Sequence, residues 1–205
     1  MTFNQTLPGL KVLDLSTNIA GPFAAMILGD LGADVIKIER PPHGDDTRAL
    51  PPHWEGEATV FLAVNRNKRS LLLDIKSPEG KKALFRLVET ADVVIESFPP
   101  GLGDKLGITF DELKALNPRI LMASISAFGD GPIGKTMPGY DALVQAVSGM
   151  MSFTGSPDTP TVRIAPSILD LSTGMWTAIG LLAAILRRNA GGSAEHIRPS
   201  LIDRS

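Results

Sequence analysis

The tightest constraint on the fold lies in residues 11–39. Lys11–Ser16 carries the apolar run Val12-Leu13-Asp14-Leu15 and predicts a buried strand, entered through a turn at Pro8-Gly9. Gly21-Pro22 then opens a helix, because proline in the first helical turn has no partner for an amide anyway. The helix runs from Phe23 to about Leu31, and Gly32-Ala33-Asp34 turns the chain into a second strand, Val35–Glu39. A strand, a helical crossover and a strand within so short a stretch argue for a parallel sheet.

The alternation continues. Residues 41–60 are rich in proline and charge and predict an irregular excursion. A strand follows at Leu71–Ile75, then Ser77-Pro78-Glu79-Gly80 and an amphipathic helix to about Thr90. Val93–Glu96 reads as a strand, Phe110–Leu116 as a short helix, and Ile120–Ser126 as another buried strand. This pattern predicts an α/β fold, a doubly wound, Rossmann-like parallel sheet with flanking helices. After Ser126 come a glycine- and proline-rich loop (129–139), a helix over 140–151, a second loop (155–167) and a long helix from about Asp170 to Arg188. Gly191-Gly192 leads into a short polar tail for which the pattern supplies no packing partner.

Composition removes several functional classes. The formal net charge of −2 gives no electrostatic case for nucleic acid or a membrane surface as partner. The chain has no cysteine, which removes disulfides, thiolate metal sites and cysteine nucleophiles. Met1 to Gln5 lacks the basic and apolar regions of a signal peptide. The greasiest stretch, Gly174–Leu186, falls short of the ~18 residues that suggest a membrane span. The expectation is a cytoplasmic protein with no membrane partner. His43, His53 and His196 are scattered without metal-ligand spacing, so no metal site is expected. Gly21, Gly29 and Gly32 lack the spacing of a dinucleotide-binding turn, which disfavours a nicotinamide oxidoreductase.

Two features could carry chemistry. Asp170 lies between a loop and a strongly apolar helix. It reads as an N-cap, or as a carboxylate whose pKa the helix dipole lowers, keeping it ionised for attack. The basic run Asn65-Arg66-Asn67-Lys68-Arg69 reads as a solvated strand entrance or as a phosphate site. Arg40, closing the second strand, could serve the same ligand, since such folds bind ligands at the carboxyl ends of their strands.

The segments Leu10–Ser16, Ala20–Ala24 and Leu31–Arg40 resemble, in order, the opening of the type III CoA-transferases. The resemblance continues through Asn65–Arg69, Asp92–Glu96, Gly139-Tyr140-Asp141, Asp170 and Gly174-Met175. It implies a transfer of CoA between carboxylic acids, with acyl-CoA and a small carboxylic acid as substrates. Asp170 matches the family's catalytic aspartate. Ile19, Ala20 and Arg40 match CoA-contacting positions, as do Asn67, Lys68 and Arg69 in the basic segment. Ser97 and Phe98 match the loop after the fourth strand, Lys105 stands where an arginine binds CoA in formyl-CoA transferases, and Tyr140 matches a tyrosine near the active site.

The family mechanism passes through an aspartyl-CoA thioester. Related α-methylacyl-CoA racemases carry Gly-His-Asp where this sequence has Gly139-Tyr140-Asp141. One of the two racemase bases is therefore missing, which favours transfer over isomerisation. A non-catalytic CoA-binding fragment is the remaining alternative. Family members are longer and form homodimers. The resemblance thus implies that residues 1–190 form the CoA-binding part of a larger domain. Residues 191–205 would begin a linker to a second domain, where the family pattern is only partly kept as Gly192–Leu201.

Overall fold

A computed structural model describes residues 6–132, 134–156 and 158–205. The first unit is β1 (Lys11–Asp14), α1 (Ala20–Asp30) and β2 (Asp34–Glu39). The excursion that follows holds a short 3-10 turn, a hairpin of β3 (His53–Trp54) and β4 (Glu57–Ala58), and α2 (Thr59–Asn65), a helix unanticipated from sequence. Then come β5 (Lys68–Leu72), α3 (Pro78–Val88), β6 (Val93–Glu96), α4 (Leu102–Leu106), α5 (Phe110–Leu116) and β7 (Leu121–Ser124). The chain continues through α6 (Asp141–Val147) and α7 (Ile168–Asn189) to β8 (Glu195–Ile197).

Six strands form one sheet in the order β5-β2-β1-β6-β7-β8, and every paired neighbour is parallel. The chain winds outward from β1 in one direction, then returns and winds outward in the other. The reversal lies between β1 and β6, and in such sheets ligands bind in the crevice outside the strand ends at that point.

Alternating side chains feed two cores, as a strand's period of two requires. Val12, Val93, Ile95 and Leu121 pack with α1 and α7, while Leu13, Val94 and Met122 pack with α3 and α5. The contact of α1 with α7 depends on small residues: a Cβ on Gly174 would stand 2.7 Å from the Ala20 carbonyl oxygen. α3 begins as the sequence suggests, with the Ser77 hydroxyl accepting from the Gly80 amide at 3.0 Å.

Three readings from sequence need correction. The tail is not unpartnered. β8 pairs with β7, Ser126 bridges Ser200, and Leu201 is buried in the α1–α7 core. β5 starts at Lys68 rather than Leu71, so the basic run is partly strand. The helix over 140–151 breaks at Ser148, and Gly149 takes the left-handed φ of 82° that admits a new 3-10 turn. In addition, α7 has the length and hydropathy of a membrane span, so the argument from the 174–186 run does not exclude one. In this fold, 44% of that apolar window is buried inside the protein.

A buried charge cluster ties the excursion to the sheet. Lys68 Nζ donates to Asp14 Oδ2 and to the Pro22 carbonyl, each at 2.8 Å. Lys37 Nζ lies 2.8 Å from Asp45 Oδ2 and donates to the Ser16 carbonyl at 3.0 Å. Burial alone would raise the Asp14 pKa, but Lys37 and Lys68 hold it down at about 2. Burial would likewise raise Glu39, yet Arg48 and Ser70 hold it at about 2, with the Arg48 guanidinium bidentate at 2.7 and 2.8 Å.

Candidate active site

The carboxyl ends of the strands open into a crevice of about 1390 Å³. Its position follows from the topology. At the reversal between β1 and β6, the Thr17 amide donates to Ser97 Oγ at 3.1 Å, joining the two loops that leave those strands. Asn18, with a left-handed φ of 66°, turns the first loop into α1 and donates its amide to Asp45 Oδ1 at 3.3 Å.

Asp170 stands at the edge of this crevice, half-buried. It is not the cap of α7. That role falls to Asp141, whose Oδ2 accepts from the Leu169 and Asp170 amides at 2.7 and 3.0 Å. Gln145 donates to the other oxygen of Asp141 and accepts from the Ile164 amide at 2.8 Å, so the loop before α7 is tied down as well. Asp141 itself is buried at the start of α6. The first turn of α7, and with it the Asp170 backbone, is therefore held from outside the helix.

This arrangement reverses the sign expected from the helix dipole. Burial first, and then the charge of Asp141, push the Asp170 carboxyl up to about 7. A carboxylate with such a pKa is half-ionised near neutral pH and is more nucleophilic when ionised than one of ordinary acidity.

Ala20, Arg40, Ser97, Phe98 and Tyr140 line the same crevice as Asp170. Arg40 is exposed and paired with Asp46, while Tyr140 is 71% exposed. Ile19 lies between lining residues, and Lys105 is exposed on α4 between the lining residues Asp104 and Leu106. Neither of these two lines the crevice.

The basic run does not join this group. Arg66 and Asn67 bind Asp30 at the end of α1, with the Asn67 amide group at 2.7 Å. Arg69 pairs with Asp34 at 2.8 Å, at the entrance to β2, and Lys68 is spent on Asp14. The expectation that residues 65–69 share one ligand with Arg40 is thus corrected. Because β5 starts early, the run sits toward the amino ends of the strands. What stands at the carboxyl end of that strand is Leu73–Lys76, a crevice-lining segment that sequence reasoning missed. Lys135, His196 and Arg198 also line the crevice and were not singled out.

Comparison with known proteins places these features in context. The profile described as CoA-transferase family III matches residues 7–205. The chain is 41% identical to succinate–glutarate CoA-transferase of Agrobacterium fabrum, covering 96% of this chain and 51% of that protein. It is 44% identical to acetyl-CoA:oxalate CoA-transferase of Acetobacter aceti, covering 95% and 50%. A solved CAIB/BAIF family protein from Brucella suis superposes with a TM-score of 0.91 at 42% identity, covering 98% of this chain and 54% of that one. The chain spans about half the length of these relatives.

Proposed function

Since this chain belongs to CoA-transferase family III, we propose that it moves CoA from an acyl-CoA donor to a small carboxylic acid, with Asp170 as the nucleophile. The observation that carries the reading is Asp170 itself. Its carboxyl lines the crevice at the strand ends, on a helix turn that Asp141 holds in place, with a pKa raised to about 7 by burial and by Asp141.

In the proposed sequence, the ionised Asp170 attacks the donor thioester carbonyl. The C–S bond breaks, giving a mixed anhydride and CoA thiolate. The thiolate attacks the aspartyl carbonyl of the anhydride, releasing the donor acid as its carboxylate and leaving an aspartyl-CoA thioester. The acceptor carboxylate then attacks that thioester, and the thiolate returns to the acceptor carbonyl. Acyl-CoA of the new acid leaves and Asp170 is restored. No proton is consumed over the cycle, and the thioester energy is kept as long as water does not reach the anhydride.

Arg40, Ser97, Phe98, Lys76 and Lys135 are assigned to CoA as cationic and loop groups among those lining the crevice. The loops joined by Thr17 and Ser97 would hold its approach to Asp170. The proposal extends to a homodimer of a longer cytoplasmic protein. Met175, Trp176, Ile179 and Leu186 leave an apolar stripe on α7 that self-association would cover.

Exchange of a labelled carboxylic acid into its CoA thioester, followed over a panel of short acyl-CoA donors, tests this. Exchange is expected with at least one donor. Its rate should rise about tenfold per pH unit below pH 7 and level off above it, as Asp170 ionises. CoA binding without exchange from any donor would reduce the reading to that of a binding fragment.

A further inference from the structure

A second group of titratable side chains lines the same crevice as Asp170, on β6, β7, β8 and the residue after it. Glu96 and Ser124 are register partners across β6 and β7, and the Ser124 hydroxyl offsets part of the rise that burial imposes on the Glu96 pKa. His196 pairs in register with Met122, so its side chain emerges on the same face of the sheet as that of Ser124. Ser124 Oγ and His196 Nε2 are 2.8 Å apart. Arg198 Nε lies 3.2 Å from His196 Nδ1, and its Nη1 pairs with Asp130 at 3.2 Å. The Phe110 ring stacks on the imidazole at 5.0 Å.

Hydrogen-bond capacity gives this chain of groups one direction. Arginine has donors only, so Nδ1 of His196 must accept and carries no proton. A neutral imidazole then holds its proton on Nε2 and donates it to Ser124 Oγ. The serine hydroxyl proton is left free for the Glu96 carboxylate. Glu96 Oε2 in turn accepts the Phe98 amide at 2.6 Å, and Glu96 is only 7% exposed. Each donor in the sequence thereby meets one acceptor. Burial and then Arg198 depress the His196 pKa to about 4 against the opposing charges of Asp130 and Asp111, which keeps the ring neutral as this assignment needs.

The chain ends on a loop that matters. Phe98 and Ser97 line the crevice, and Ser97 Oγ receives the Thr17 amide from the other side of the sheet reversal. We infer that Arg198, His196, Ser124 and Glu96 form a directional hydrogen-bond relay that positions the loop beginning at Ser97-Phe98. On this inference His196 and Arg198 are positioning residues: they act on the bound substrate through that loop and not at the reacting atoms. The consequence for CoA rests on the proposed function; the relay itself does not.

The imidazole nitrogen spectrum of the whole chain tests the relay directly, with His196 assigned by loss of its signals in His196→Gln. The expected state is a neutral ring protonated on Nε2 from about pH 6 to 8. A proton on Nδ1, or titration near the ordinary histidine value, would overturn it. Amide exchange of Phe98 reads the other end. His196→Phe keeps the stack on Phe110 but loses both nitrogens, and should speed that exchange about tenfold. His196→Gln can still donate to Ser124 and should stay within about twofold of wild type. Equal exchange in all three proteins would refute the positioning role. Affinity for CoA, measured on the same samples, should fall about tenfold in His196→Phe and recover in His196→Gln. Wild-type protein without measurable CoA affinity would remove the CoA reading, while tautomer and exchange would still decide the relay.

Discussion

Replacing Asp170 with asparagine should lower acyl exchange by on the order of 10⁴-fold, since nothing else takes over as the attacking group once a covalent nucleophile is removed. The fold should survive. At alkaline pH it should in fact gain stability, and the sign follows from the raised pKa. The folded state holds the Asp170 proton until about pH 7, whereas an unfolded aspartate releases it near 3.8. The stabilisation linked to that proton is fully present below 3.8 and is lost as pH rises through about 7. Above that, the ionised carboxylate is a cost that asparagine does not carry. Relative to wild type, Asp170→Asn should therefore be more stable by about 2 kcal/mol at pH 8, less than the full displacement implies because the group is partly solvated. Denaturant titrations at pH 4 and pH 8 measure it, and a constant difference between the two pH values would contradict the assigned environment. A carboxyl that destabilises its own fold is what the proposed nucleophilic role of Asp170 entails.

Asp14→Asn should destabilise the protein by about 3–5 kcal/mol, because it leaves Lys37 and Lys68 buried with their shared counter-charge gone. Asp45 would still face Lys37, but Lys68 would keep only neutral partners, the Pro22 carbonyl and the Asn65 side chain. The contrast is Arg69→Ala, which breaks an exposed pair with Asp34 and should cost within about 0.5 kcal/mol. Both substitutions remove one member of an ion pair; burial decides which one matters. Since the Asp14 pKa is held at about 2, its contribution is present above 3.8 and should be lost as pH falls toward 2. Urea midpoints for the two variants at neutral pH measure the difference, and similar losses would contradict the burial of the cluster.

The parts of the fold legible in the sequence are those with a strong local signal. Val12-Leu13, Val35-Ile36 and Val93-Val94 are apolar because both faces of a parallel strand are covered, and they stand out against their turns. β8 was missed for the opposite reason: at the sheet edge, Glu195-His196-Ile197 is half-covered and polar, so neither a continuous apolar run nor an alternation marks it. The basic run at 65–69 was misread because charge alone does not tell which end of a strand it occupies, and a start at Lys68 moves it away from the crevice.

The site divides in the same way. Asp170 was visible as a carboxylate at a helix start, but its capping partner Asp141 lies 29 residues earlier and can be found only from contacts. Burial first, and the charge of that partner second, also raise the Asp170 pKa, which the helix dipole alone would have lowered. His196 was set aside for lack of metal-ligand spacing. Its partners Ser124 and Glu96 are brought to it by the order of strands, which no local pattern encodes.

The central claim is that Asp170 carries CoA covalently during transfer. Intact-mass measurement of the chain after incubation with acyl-CoA, followed by peptide mapping, tests it most directly. The account predicts a CoA adduct on the peptide containing Asp170 that is absent from Asp170→Asn. An adduct on another residue, or undiminished exchange by Asp170→Asn, would contradict it.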